Sequence, residues 1–146
     1  MTSQSAAQTY WDDMEEGQEI SLDDEWSSQR LVMWAAASGD FYQIHYDEQF
    51  AKANALPGVI VHGALKGMVI GRLLDELIGT GGRIVKWTAS YRGMDPVGQH
   101  VRVWAKVTRT YEQDGEALVD FDVGVAHADG TQTTPGTATV ALPKRG

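Results

Sequence analysis

Residues 59–78 read VIVHGALKGMVIGRLLDELI, the longest apolar run in the chain. Its apolar positions recur too densely for a helix with one wet face. Such a segment has to be covered on nearly all sides, so it predicts a mostly buried central helix that opens near His62. Within the run Gly63, Gly67 and Gly71 recur every four residues and share one face of that helix. Each glycine inside a helix costs up to about 1 kcal/mol relative to alanine, so three on one stripe mean that something approaches that face closely. Either the helix lies tight on a sheet or the stripe leaves room for a ligand chain, and the two are compatible.

The rest of the chain supplies the cover. After the punctuation TGG at 80–82 come four strand-like segments: RIVKWTASYRGM, HVRVWAKVTRTYE, EALVDFDVGVAHA and TQTTPGTATVALP. Turns at Pro96 to Gly98, Asp114-Gly115 and Asp129-Gly130 separate them, and the two Asp-Gly pairs are hairpin signals that make the sheet antiparallel. Val101, Val103, Ala105 and Val107 alternate with Arg102, Trp104, Lys106 and Thr108, which predicts one covered and one wetter face. Upstream, a helix is expected from a cap at Ser28 to a stop at Gly39, and a short one from Asp47 that ends before Pro57. Residues 10–20 read as an acidic entry segment with a turn at Gly17 leading into a short strand, and residues 1–9 as flexible. With 146 residues and no linker or internal repeat, these elements make a single α+β domain, an antiparallel sheet wrapped around one long helix.

Composition removes several function classes. The chain has no cysteine, which excludes disulfides, thiolate metal sites and cysteine nucleophiles. A net charge of −8 disfavours nucleic acid as a partner, because phosphate backbones are held by concentrated Lys and Arg. Neither a signal-type start nor a stretch of the roughly 20 apolar residues that span a bilayer is present, so a soluble, cytoplasmic protein is expected.

Chemistry concentrates in SGDFYQIHYD at 38–47, where Asp40 precedes His45 in a connection between two helices. An Asp after Ser-Gly can simply hydrogen-bond its own turn, and a lone His is often a structural group. The same pair can instead share one water, with His45 taking a proton while the carboxyl orients the water or handles the second proton. At 61–63 the sequence VHG opens the buried helix, where the Gly63 amide can stabilise a developing oxyanion. His62 itself reads as a helix-start residue bonded to nearby backbone.

SGDFYQIHYDEQFA followed by PGVIVHG and then a strand-rich half resembles the MaoC-like (R)-specific enoyl-CoA hydratases and dehydratases of the hotdog fold, from about Tyr10 to Pro143. That family's pattern is roughly S-G-D-x-N-P-[IL]-H-x-D with an H-G helix start downstream. The resemblance implies that Asp40 and His45 are catalytic, acting on the water added to or lost from the acyl chain, and that Gly63 binds the thioester carbonyl. Two departures stand out. Tyr42-Gln43 replaces the usual Asn-Pro, so the loop loses proline's fixed φ and gains a ring. Gly71 stands where relatives often carry a serine two turns past the H-G glycine, and with Tyr42 and Gly67 it is assigned to the substrate pocket, which hints at a bulky acyl group.

The resemblance further implies reversible hydration of a trans-2-enoyl-CoA to an (R)-3-hydroxyacyl-CoA, with acyl carrier protein as the alternative carrier and neither metal nor redox cofactor. It implies a homodimer or a heteromer with a related hotdog subunit. Arg83, Lys86 and Arg92 are either contacts for the CoA phosphates or a solvated strand face. Two rival functions are a hotdog acyl-CoA thioesterase and an acyl-binding subunit of a heteromeric hydratase. Hotdog thioesterases commonly carry a carboxylate on the central helix near the carbonyl, but here Asp75 and Glu76 come late and Lys66 occupies the early turns. The intact Asp40 and His45 argue against a merely structural subunit.

Overall fold

The apolar run becomes helix α3, Gly63–Ile78, in the computed structural model, which describes residues 8–146. Nine of its sixteen residues are buried, including Leu65, Val69, Ile70, Leu73 and Leu74. Each such aliphatic side chain contributes about 1.5–3 kcal/mol when it leaves water, so α3 carries a large share of the core. The segment expected to be flexible, 1–9, lies outside the described residues as far as residue 7. At Gln8 the side chain donates to the Ile78 carbonyl (2.9 Å) and accepts from the Gly81 amide (2.7 Å), fastening the chain to the end of α3.

Five strands cover the helix: β1 (Glu19–Glu25), β2 (Arg83–Ala89), β3 (His100–Gln113), β4 (Glu116–His127) and β5 (Gln132–Ala141). They form one sheet in the order β1-β3-β4-β5-β2 with every neighbouring pair antiparallel. Val101, Val103, Ala105 and Val107 of β3 turn inward onto α3, joined by Val119, Phe121, Val123 and Val125 of β4. The expected alternation of β3 is what gives the sheet its dry face. Asp114 and Gly115 both take positive φ (53° and 81°), the backbone twist that a two-residue hairpin requires.

The two upstream helices are α1 (Ser28–Ser38) and α2 (Glu48–Ala53). The cap of α1 falls on Ser27 rather than the expected Ser28, because Ser27 Oγ is the oxygen that accepts from the Arg30 amide (3.3 Å). The strand expected over 83–94 stops at Ala89. Beyond it the amides of Ser90, Arg92 and Gly93 donate to the Pro135 and Thr133 carbonyls, and the chain leaves the ladder as an irregular link to β3.

That edge strand explains the glycine stripe. A Cβ at Gly67 would lie 2.7 Å from the Tyr91 hydroxyl and 3.2 Å from the Trp87 ring, and one at Gly63 would lie 3.3 Å from the Tyr91 ring. At Gly71 the nearest atom, on Trp87, is 3.9 Å away. The stripe is therefore the seat of two aromatic rings carried by β2 and the link after it, the close approach of helix and sheet.

β2 is held in place through Gly136 of β5, its partner at Ala89. Any Cβ at Gly136 would be driven into the Thr88 carbonyl oxygen. Gly136→Ala is expected to destabilise the fold by about 2 kcal/mol or more, because the clash is with backbone that cannot swing away. Scanning calorimetry should show the melting temperature fall by roughly 5 °C or more.

Candidate active site

Helix α1 ends at Gly39, which takes a left-handed φ of 78° and donates its amide to the Ala35 carbonyl (2.9 Å). The reversal throws the chain outward, and Asp40 follows at once. Its Oδ1 accepts from the Tyr42 amide at 3.3 Å, the local turn bond that the residue type favours. Its Oδ2 stays free and lies 4.0 Å from His45 Nε2. One carboxylate oxygen thus shapes the local turn while the other faces the imidazole.

His45 sits in a short 3-10 turn, Gln43–His45, and is buried to 9% exposure. Its Nδ1 lies 2.7 Å from the Ile60 carbonyl. A carbonyl only accepts, so Nδ1 carries a proton, and in the neutral ring the lone pair is the one at Nε2, 4.0 Å from Asp40 Oδ2. Tyr42, the residue at the family's Asn position, is half exposed and meets the His45 ring edge-on (centroids 6.4 Å apart) and Phe50 in the same manner (5.9 Å).

His62 is the residue sequence reasoning undervalued. It caps no amide of its own helix; its ring stacks on His45 with centroids 3.8 Å apart and planes 22° from parallel. Nε2 donates across the site to the Asp40 carbonyl at 3.1 Å, and Nδ1 is buried without a partner. The expected bond to nearby backbone is in fact a bond to backbone 22 residues away. Burial lowers the His62 pKa below the ordinary imidazole value and the neighbouring His45 lowers it further, against opposing pulls from the Asp40 carbonyl and carboxylate. A neutral His62 lies against His45 without charge repulsion. The signal that could have found it was the His-Gly pair itself, which puts the ring and the first free helix amides at one point.

Asp40, His45 and His62 offer ligand atoms within 4.8 Å of one another. Imidazoles stacked face to face direct their in-plane lone pairs along nearly parallel lines rather than at one ion, so the trio suits proton chemistry better than coordination. Gly63 begins α3 directly behind His62, and the opening amides of a helix have no partner within it. An apolar hollow of about 420 Å³ opens beside His45, lined by Leu31, Val32, Ala35, Phe41 and Tyr46. A larger groove of about 690 Å³ crosses the outer face of the sheet at β1, β3 and β4, but it contains none of the acid/base candidates. Of the other substrate-pocket candidates, Gly67 and Gly71 lie under Tyr91 and Trp87 as described above. Arg83 forms a two-oxygen pair with Glu116.

The depressed pKa of His62 has a direct consequence for stability. The unfolded chain takes up a proton near pH 6.5 while the folded site resists it, so this contribution is complete above that pH and is lost as pH falls through the imidazole range. The urea midpoint should drop between pH 7.5 and pH 5.5, and His62→Gln, which keeps an N–H donor but cannot titrate, should flatten that drop.

The sequence matches the MaoC like domain over residues 10–131. It is 28% identical over 131 residues to the (R)-specific enoyl-CoA hydratase of Aeromonas caviae, an alignment that covers 89% of this chain and 96% of that protein. The solved (R)-hydratase from A. caviae superposes with a TM-score of 0.80 at 27% identity, covering 90% of this chain and 98% of that one. A chain of the ChsH1-ChsH2 complex from Mycobacterium tuberculosis shares the fold at 20% identity, with a TM-score of 0.74 and coverage of 88% and 98%. With a five-stranded antiparallel sheet around one long helix and the family match spanning most of its length, this chain belongs to the MaoC-like domain family and has its hotdog fold.

Proposed function

We propose that the chain hydrates a trans-2-enoyl-CoA to the (R)-3-hydroxyacyl-CoA, reversibly, with Asp40 and His45 as the acid/base pair. The observation that carries the reading is the fixed tautomer of His45. Its Nδ1–H is spent on the Ile60 carbonyl and its Nε2 faces Asp40 Oδ2 at 4.0 Å. That gap is too long for a direct hydrogen bond and fits one water at about 2.8 Å from each atom. His45 Nε2 takes the water proton as the oxygen adds to C3, and the pair returns a proton to C2, so one water is consumed and no other reagent is needed. The Gly63 amide, at the open end of α3, donates to the thioester oxygen and stabilises the negative charge that develops there. The apolar hollow beside His45 is the surface that meets the acyl chain, while the stripe at Gly67 and Gly71 is covered by Tyr91 and Trp87. Hydrolysis is disfavoured because the early turns of α3 carry buried Lys66, while Glu76 is exposed and paired with Arg72.

The working unit is a dimer, or a heteromer with a related hotdog subunit, joined along β2. β2 and β1 are the two edges of the sheet. β1 guards its edge with Glu19, Asp23, Asp24 and Glu25, whereas β2 exposes Val85 and Trp87. Val85→Lys should convert a dimer into a monomer in sedimentation velocity. A wild-type chain that sediments as a monomer would leave a second, different subunit as the partner.

The activity is tested by the loss of enoyl-thioester ultraviolet absorbance across short, long and polycyclic enoyl-CoA substrates. Asp40→Asn and His45→Gln should each lower kcat by roughly 10²- to 10⁴-fold with unchanged far-ultraviolet circular dichroism. Turnover that survives both substitutions would refute the assignment of the pair. Absence of turnover in the well-folded wild type would favour the subunit reading.

A further inference from the structure

Lys66 and Asp95 are 2% and 0% exposed, and the acid/base pair makes no use of either. Lys66 lies in the first turns of α3, and Asp95 in the irregular link between β2 and β3. Lys66 Nζ is 2.6 Å from Asp95 Oδ2, a charge contact off the ideal hydrogen-bond direction, and donates to the Gly93 carbonyl at 2.7 Å. The other carboxylate oxygen, Oδ1, meets Nε2 of His127 at the end of β4. Buried ion pairs are strongly penalised by desolvation, and well-packed apolar residues of equal size often serve stability as well or better. A cluster of this kind therefore calls for an explanation in geometry.

The main chain around Asp95 supplies one. The Asp95 carbonyl accepts from the Val61 amide (2.9 Å), the Val97 amide donates to the Val59 carbonyl (3.3 Å), and Ile60 bridges Pro96. Between those two bonds lies Ile60, whose carbonyl fixes the His45 tautomer. Asp95 thus grips the strip that orients His45 with its main chain. With its side chain it ties the same strip to the opening of α3 and, through His127, to the sheet.

We infer that Lys66, Asp95 and His127 are positioning residues: their cluster, buried at Lys66 and Asp95, keeps the Ile60 carbonyl and the start of α3 in register, so that His45 Nε2 and the Gly63 amide address one point. The kinetic consequence rests on the hydratase reading, whereas the structural one does not.

The test compares wild type with Lys66→Met/Asp95→Leu, which removes both charges at similar volume. Nitrogen-15 NMR of the histidine rings should show a single Nδ1–H tautomer for His45 in the wild type and a mixture in the double variant. In hydration assays kcat should fall roughly ten- to hundredfold at unchanged KM, the scale expected for misplacement of about 1 Å. If the double variant does not fold, Asp95→Asn keeps the side-chain shape and the main-chain bond to Val61, and should give the same tautomer mixture. A folded variant with the wild-type His45 spectrum would overturn the inference, whatever its melting temperature. Should the wild type hydrate nothing, the spectra still decide this point while the proposed function fails separately.

Discussion

The burial of α3 is the constraint on which the other elements depend. A helix with nine of sixteen residues covered cannot sit on a surface, so the sheet curves over it and β3 and β4 present unbroken Val-rich inner faces. The price is that one end of the helix must still meet polar surroundings, since its first amides have no partner of their own. In this chain that end is His62-Gly63, and the loop after α1 brings Asp40 and His45 to it. The same packing that stabilises the fold therefore decides where the chemistry sits.

The site is held by carbonyl groups more than by side-chain pairs. Ile60 orients His45, the Asp40 carbonyl holds His62, and the Asp40 turn is closed by the Tyr42 amide. Backbone acceptors settle which imidazole nitrogen carries the proton, because a carbonyl can never donate. Stacking at 3.8 Å then places a neutral ring against His45 and excludes water from one of its faces. On the open side of the site lie the exposed carboxylate of Asp40 and the hollow at Leu31, Val32 and Ala35.

Much of the fold was legible because its signals are local. Apolar density over 59–78, the alternation from Val101 to Val107 and the Asp-Gly pairs each specify a conformation within a few residues. The helix boundaries were nearly as clear, with the shift from Ser28 to Ser27 arising only from which hydroxyl reaches the Arg30 amide. The β2 boundary was not legible. RIVKWTASYRGM keeps a strand-like composition through Met94, but the ladder ends where the carbonyls of Thr133 and Pro135 draw the chain aside, an event set by a segment over 40 residues away. The glycine stripe left two readings open until Trp87 and Tyr91 were seen to lie on it.

By itself the sequence determined the class of fold, the buried helix and the candidate pair Asp40 and His45, because periodicity, turn chemistry and the residue types of a short loop are all contained in neighbouring positions. Tertiary structure alone decided the tautomer of His45, the stacking of His62 and the lowering of its pKa, and the burial of Lys66 with Asp95 against His127. These depend on which carbonyl or charge arrives from a distant segment and on how much water is shut out with it. Neither quantity is written in any local stretch of the chain.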